Sequence, residues 1–126
     1  MIHPKNLKEK NYRFSFIVGT GSVRCNDGCL HDVEVVAYFT MWNWSFIIHR
    51  DTVDPELLTV SEASTGLTLS DDVYYTIEDA LYFSLSIIEN KRYYFATAVN
   101  NACVRYDCDL KNRNTTGLIT LMQWNM

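Results

Sequence analysis

The hydrophobic period of this chain changes near residue 70, from that of strands to that of a helix. Before that point, short runs alternate apolar and polar residues, as in Tyr12-Arg13-Phe14-Ser15-Phe16 and Leu57 to Ala63. After it, Ile77, Ala80, Leu81, Ser84, Leu85 and Ile88 are spaced to share one helical face. A period of two puts alternate side chains on opposite faces of a sheet, whereas a period near 3.6 gives a helix one apolar stripe. A chain written this way builds a sheet first and then covers it with helix.

The punctuation supports strands joined by short loops. Tyr12 to Val18 reads as a strand stopped by Gly19-Thr20-Gly21. Val23-Arg24-Cys25 and Cys29-Leu30-His31 flank Asn26-Asp27-Gly28, where Gly28 suits the left-handed position of a three-residue hairpin loop. Asp32 to Thr40, rich in Val, Tyr and Phe, continues the second arm; Met41-Trp42-Asn43 is a turn, and Trp44 to His49 is a further strand. Pro55 bars residues 51–56 from a central strand. Ser64-Thr65-Gly66 repeats the glycine loop, and Leu67-Thr68-Leu69 returns.

Thr76 with Asp79 three residues on resembles a capping box, and Glu78 and Asp79 fall in the first turn, where the helix dipole favours acids. Arg92 to Val104 carries two helically spaced sets, Tyr94/Ala98/Ala102 and Phe95/Val99/Cys103, and reads as a second helix despite an aromatic start that would suit a strand. Asp107 to Thr116 is a polar loop and Gly117 to Trp124 a closing strand. The expected fold is α+β. It is an antiparallel meander sheet of five to six strands with one or two helices packed on one face. At 126 residues the chain is one domain, with residues 1–10 a basic N-terminal arm.

Charge is distributed unevenly. Between Arg50 and Lys91 there is no Lys, Arg or His, and there are nine acids: Asp51, Asp54, Glu56, Glu62, Asp71, Asp72, Glu78, Asp79 and Glu89. The net charge is −4, so −9 in this stretch is offset by +5 elsewhere. A one-signed field acts on partners more than on folds. Several of these acids also have local reasons to be where they are, in a turn at Asp54-Pro55 and at a helix start at Asp71, Asp72, Glu78 and Asp79. The functional reading is an acidic face formed by Asp51, Asp54, Glu56, Glu62, Asp71, Asp72, Glu78 and Asp79, with Tyr74, Tyr75 or Tyr82 as aromatic anchors. Its partner would be another protein with a basic surface, such as a nucleic-acid channel. Small acidic α+β proteins of phages and mobile elements block restriction or CRISPR enzymes in this way, which is an analogy of type with no motif behind it.

Other chemistry is weaker in the sequence. Cys25-x3-Cys29 and Cys103-x4-Cys108 admit a four-cysteine zinc site, although neither gap is the signature Cys-x2-Cys. Free thiols are the default reading, and zinc stabilisation of a structural or regulatory domain is the alternative function. The histidines, His3, His31 and His49, have no orienting group in a recognisable pattern, and no Gly-x-Ser-x-Gly elbow is present. The chain is therefore read as non-catalytic. Gly19-Thr20-Gly21-Ser22 lacks the Lys-Ser/Thr of a phosphate loop, and Asp51, Asp54 and Glu56 lack the glycine of a calcium loop. An acidic balance opposes direct binding of a polyanion. There is no apolar leader and no run of 18 apolar residues, so a cytoplasmic location away from membranes is expected. Edge strands of an open sheet are also compatible with homo-oligomers.

Overall fold

The computed structural model describes residues 12–24, 29–106, 110, 113–114 and 119–124. Its elements are β1 (Tyr12–Arg24), β2 (Leu30–Met41), β3 (Trp44–Arg50), β4 (Leu58–Glu62), α1 (Ile77–Asn90), α2 (Arg92–Tyr106) and β5 (Ile119–Trp124). The strands lie side by side in the order β4-β3-β2-β1-β5, and every neighbouring pair is antiparallel. The α+β class and the antiparallel sheet are as the periodicity indicates. The N-terminal arm and the Asn26-Asp27-Gly28 loop lie outside the described residues.

The main core forms where α1 and α2 meet the sheet. Phe14, Phe39 and Phe46 pair across three strands, and Ala37 pairs with Ile48 beside them. These residues pack with Leu81, Leu85, Ile88, Phe95 and Val99 from the helices. Phe39 and Phe46 stack with centroids 4.9 Å apart. Fully burying side chains of this size contributes about 1.5–3 kcal/mol each. Thr76 caps α1, its hydroxyl accepting the Asp79 amide at 3.1 Å. The buried face of α1 is Ala80, Leu81, Ser84, Leu85 and Ile88, with Ile77 half-buried at its edge. On α2 the inward set is Phe95, Val99 and Ala102 with Cys103 partly buried, and Tyr94 is exposed.

Gly19-Thr20-Gly21 does not stop the first strand, because β1 runs through it to Arg24. A bulge does the work expected of a turn. Ile17 and Val18 on β1 stand against the single Val36 on β2, and Val36 has no counterpart on β3. An extra residue in one strand bends it and switches the face on which later side chains emerge. Beyond the bulge, Val23, Val33 and Val35 join Ile47 and Ala63 in a second core. The distal part of the β1–β2 hairpin thus folds over the second face of β3. The Arg24 amide reaches the Gly66 carbonyl at 2.9 Å. Gly21 is needed for close approach: a Cβ there would lie 2.8 Å from both Asn114 Oδ1 and Val35 Cγ2.

Asn114 pins this second core. It is fully buried, its Oδ1 accepts the Ser22 amide at 2.8 Å, and its Nδ2 donates to the carbonyls of Ser22 at 2.9 Å and Ala63 at 2.8 Å. Leu110 is buried beside it, its amide donating to the Ser64 carbonyl at 3.2 Å. Neighbouring Arg113 donates to Ser22 Oγ through Nε and to Asp32 Oδ1 through Nη2 at 3.0 Å. These residues fall in the stretch expected to be a polar loop, and they are structural.

The turn between β2 and β3 is Trp42-Asn43, closed by the pair Met41 and Trp44. Trp42 sits at φ 54. A left-handed conformation costs a residue with a Cβ about 1–2 kcal/mol. Ring contacts offset it: Trp42 meets Trp44 edge-on at 5.8 Å, Trp44 meets Phe95 at 4.8 Å, and the Arg92 guanidinium lies 4.4 Å over the Trp42 ring.

Replacing Asn114 with Ala would leave the Ser22 amide and the Ser22 and Ala63 carbonyls buried without these partners. Each such orphan costs about 1–3 kcal/mol. We expect Asn114→Ala to lower unfolding free energy by ~2–4 kcal/mol in urea titrations, against less than about 0.5 kcal/mol for an exposed control such as Asn43→Ala. Equal losses in the two variants would show that the amide is not a pin.

Candidate interaction surface

The geometry of the acidic stretch follows from how the chain leaves β4. Glu62 ends the strand, and Gly66 at φ 75 turns the chain back, as its place in the Ser64-Thr65-Gly66 loop leads one to expect. Residues 67–74 then run along β4. The Glu62 amide donates to Leu67 and the Leu69 amide to Val60, both at 2.8 Å; Leu58 and Tyr74 exchange bonds at 2.8 and 2.7 Å. The outer edge of β4 is therefore paired, and all five of its residues are buried.

This return places the 70–73 turn beside the 51–57 loop. The Leu57 carbonyl accepts from the Asp51 amide at 2.9 Å, one residue from the Leu58–Tyr74 bridge, and Thr59 Oγ1 donates to the Asp72 carbonyl at 3.3 Å. Asp54, Glu56, Asp71, Asp72 and Glu78 are exposed, while Asp51 and Asp79 are half-buried. Asp51 holds its own loop, Oδ2 accepting the amides of Val53 at 3.2 Å and Asp54 at 3.0 Å. Asp54 Oδ1 accepts the Glu56 amide at 3.1 Å. Among these acids sit exposed apolar side chains: Val53, Val73, Phe83, and Tyr75 at 85% exposure.

Two residues expected on this face are elsewhere. Glu62 is 2% exposed. Its carboxylate accepts from the Ser64 amide at 2.7 Å, the Thr65 amide at 3.0 Å, and the Ser64 and Thr65 hydroxyls at 2.7 Å. It is the internal cap of the Ser64–Gly66 turn, and no partner surface can reach it. Tyr74 is also buried, its ring stacked 5.9 Å from Phe83, and burial raises its phenol above the ordinary value. Of the tyrosines, Tyr75 is left as the exposed anchor, since Tyr82 is half-buried against Phe83 at 4.9 Å. Alternation along 73–76 could have separated Tyr74 from Tyr75, but the sequence does not say which of the two faces β4.

Two of the four cysteines are among the described residues. Cys29 is exposed and Cys103 is disulfide-bonded, while Cys25 and Cys108 lie outside the described residues. The disulfide departs from the free thiols expected of a cytosolic chain, and a disulfide sulfur is not a thiolate donor to zinc. Among the described residues no group of three or more His, Cys, Asp or Glu is placed to hold a metal ion. No helix among them is long and apolar enough to cross a membrane.

One serine–histidine pair was not foreseen. His49 Nε2 lies 2.8 Å from Ser61 Oγ, and Nδ1 lies 2.8 Å from the Arg50 carbonyl. A carbonyl only accepts, so Nδ1 carries the proton and Nε2 accepts from the serine. His49 and Ser61 are both fully buried, so the pair holds β3 to β4 and offers a substrate no approach. Their spacing is the ordinary cross-strand register of a hairpin, His49 standing opposite Thr59, two residues from Ser61.

No family model, no curated protein and no solved structure matches the chain.

Burial lowers the His49 pKa below the ordinary 6.5, against the opposing pull of the Arg50 carbonyl and the Asp51 charge. The folded ring stays neutral while the unfolded ring takes a proton, so stability is intact above about 6.5 and falls as pH drops below it, down to the folded pKa. We expect the wild-type urea midpoint to fall between about pH 7.5 and pH 5.5 by more than that of His49→Gln, which has no ring to titrate. Parallel midpoints for the two proteins would refute this.

Proposed function

We propose that the protein is a non-catalytic binding domain that uses its acidic face against a basic surface of another protein. The reading is that of a phage or mobile-element inhibitor of a host nucleic-acid-binding defence enzyme, of the anti-CRISPR or anti-restriction type. One observation carries it. The return of the chain along β4 gathers Asp54, Glu56, Asp71 and Asp72 around exposed Val53, Val73 and Tyr75. Interfaces that bind specifically combine a buried aromatic anchor with a charged rim, the charges setting on-rate and partner choice and the anchor supplying much of the affinity.

An acidic rim of this kind stands in for a phosphate backbone in a cleft lined with Lys and Arg. A phosphate-binding channel is one of the few strongly basic surfaces in a cell, so it is the natural target of such a face. The reading implies action in the cytoplasm and needs no cofactor.

The test is a pull-down from bacterial lysate with tagged protein at low and high salt, with mass spectrometry of what is retained. A nucleic-acid-binding protein held at low salt and released at high salt is the expected result. Asp71→Lys with Asp72→Lys should abolish retention, and Tyr75→Ala should weaken binding about tenfold or more. Retention unchanged by the double charge reversal would sink the proposal.

A further inference from the structure

The two ends of α1 are unlike. Its first turn carries Glu78 and Asp79, next to the face of Asp71, Asp72 and Tyr75. Just past its last residue the chain presents Lys91, Arg92, Tyr93 and Tyr94, all exposed, the two tyrosines at 89% and 80%. With Glu89 and Asn90 these residues line an open cleft. The Arg92 side chain is held in place there by the Trp42 ring beneath its guanidinium, at 4.4 Å. One patch is acidic with an exposed tyrosine, and the other pairs two cations with two exposed tyrosines.

These patches cannot satisfy each other within one molecule. A helix of 14 residues holds its ends about 21 Å apart at 1.5 Å per residue. That is more than twice the screening length of about 8 Å at physiological salt. A second copy can bring them together at contact distance. We propose that the protein self-associates head to tail, with the acidic face of one copy docked on the Lys91–Tyr94 patch of the next. Asp71 and Asp72 meet Lys91 and Arg92, and Tyr75 enters the cleft against Tyr93 and Tyr94. Such a contact uses two different surfaces, so a pair of copies still has one of each free, and the assembly grows into a chain unless its rotation closes a ring. It draws on the same acidic face as the proposed function but needs no foreign partner. Self-association and binding to another protein therefore compete.

The experiment is sedimentation velocity on the purified full chain alone. For the wild type, the average mass should rise with concentration at about 0.05 M salt and return to the monomer at about 0.5 M. Asp71→Lys with Asp72→Lys puts two cations where the docked copy presents Lys91 and Arg92, and Lys91→Glu with Arg92→Glu puts two acids where it presents Asp71 and Asp72. Each of these variants alone should stay monomeric at low salt. Mixed in equal amounts, they should associate again, because each then meets the opposite charge. Circular dichroism checks that each variant keeps the native fold. A wild type that is monomeric at all concentrations and low salt overturns the proposal, and this arm needs no variant. Association by either variant alone overturns it too, as does a mixture of two folded variants that stays monomeric. Since only this protein is present, these outcomes are separate from whether a lysate partner is retained.

Discussion

The second core is pinned at its centre by one buried carboxamide. The Asn114 side chain accepts from the Ser22 amide and donates to the Ser22 carbonyl, as a neighbouring strand would. Among the described residues β5 pairs with β1 from Phe14 to Val18, and Asn114 meets the same strand further on, at Ser22. Its remaining proton goes to Ala63, beyond the end of β4. A single buried amide therefore stitches the folded-over hairpin to the opposite end of the sheet. Without it, the bulge at Val36 would still bend the hairpin, but the hold on Ala63 would be lost and the Arg24–Gly66 backbone bond would be left to tie the hairpin to the turn after β4.

The features legible in the sequence were those set by neighbours in the chain. The Thr76 cap, the face of α1 from Ile77 to Ile88 and the positive φ of Gly66 all follow from local spacing or local sterics. The features that were not legible depend on distant contacts. Gly21 looks like a turn residue until Asn114, 93 positions away, is seen to need its space. Asn114 itself reads as one polar residue in a polar loop. Glu62 counts as one more acid in an acidic run, and only the Ser64–Thr65 turn folding back on it shows that its charge is used internally. The acidic face was thus visible as composition, while its membership had to come from the fold.

The same return segment solves two physical problems. A strand with five buried residues at the border of a sheet would invite pairing by any extended peptide. Residues 67–74 occupy those backbone groups and, in doing so, present Asp71 and Asp72 outward. The backbone of this edge is thus paired within the chain, with two exposed carboxylates beside it.

Trp42 has one further consequence. A tryptophan in a backbone conformation that suits glycine is tolerable only while Trp44 and Arg92 hold its ring. Trp44 in turn rests on Phe95, so both hairpin rings lean on α2. The tight link between β2 and β3 and the docking of the second helix thus form a single cooperative unit. A change that loosens the docking of α2 at Arg92 or Phe95 would therefore also loosen a turn 50 residues earlier in the chain.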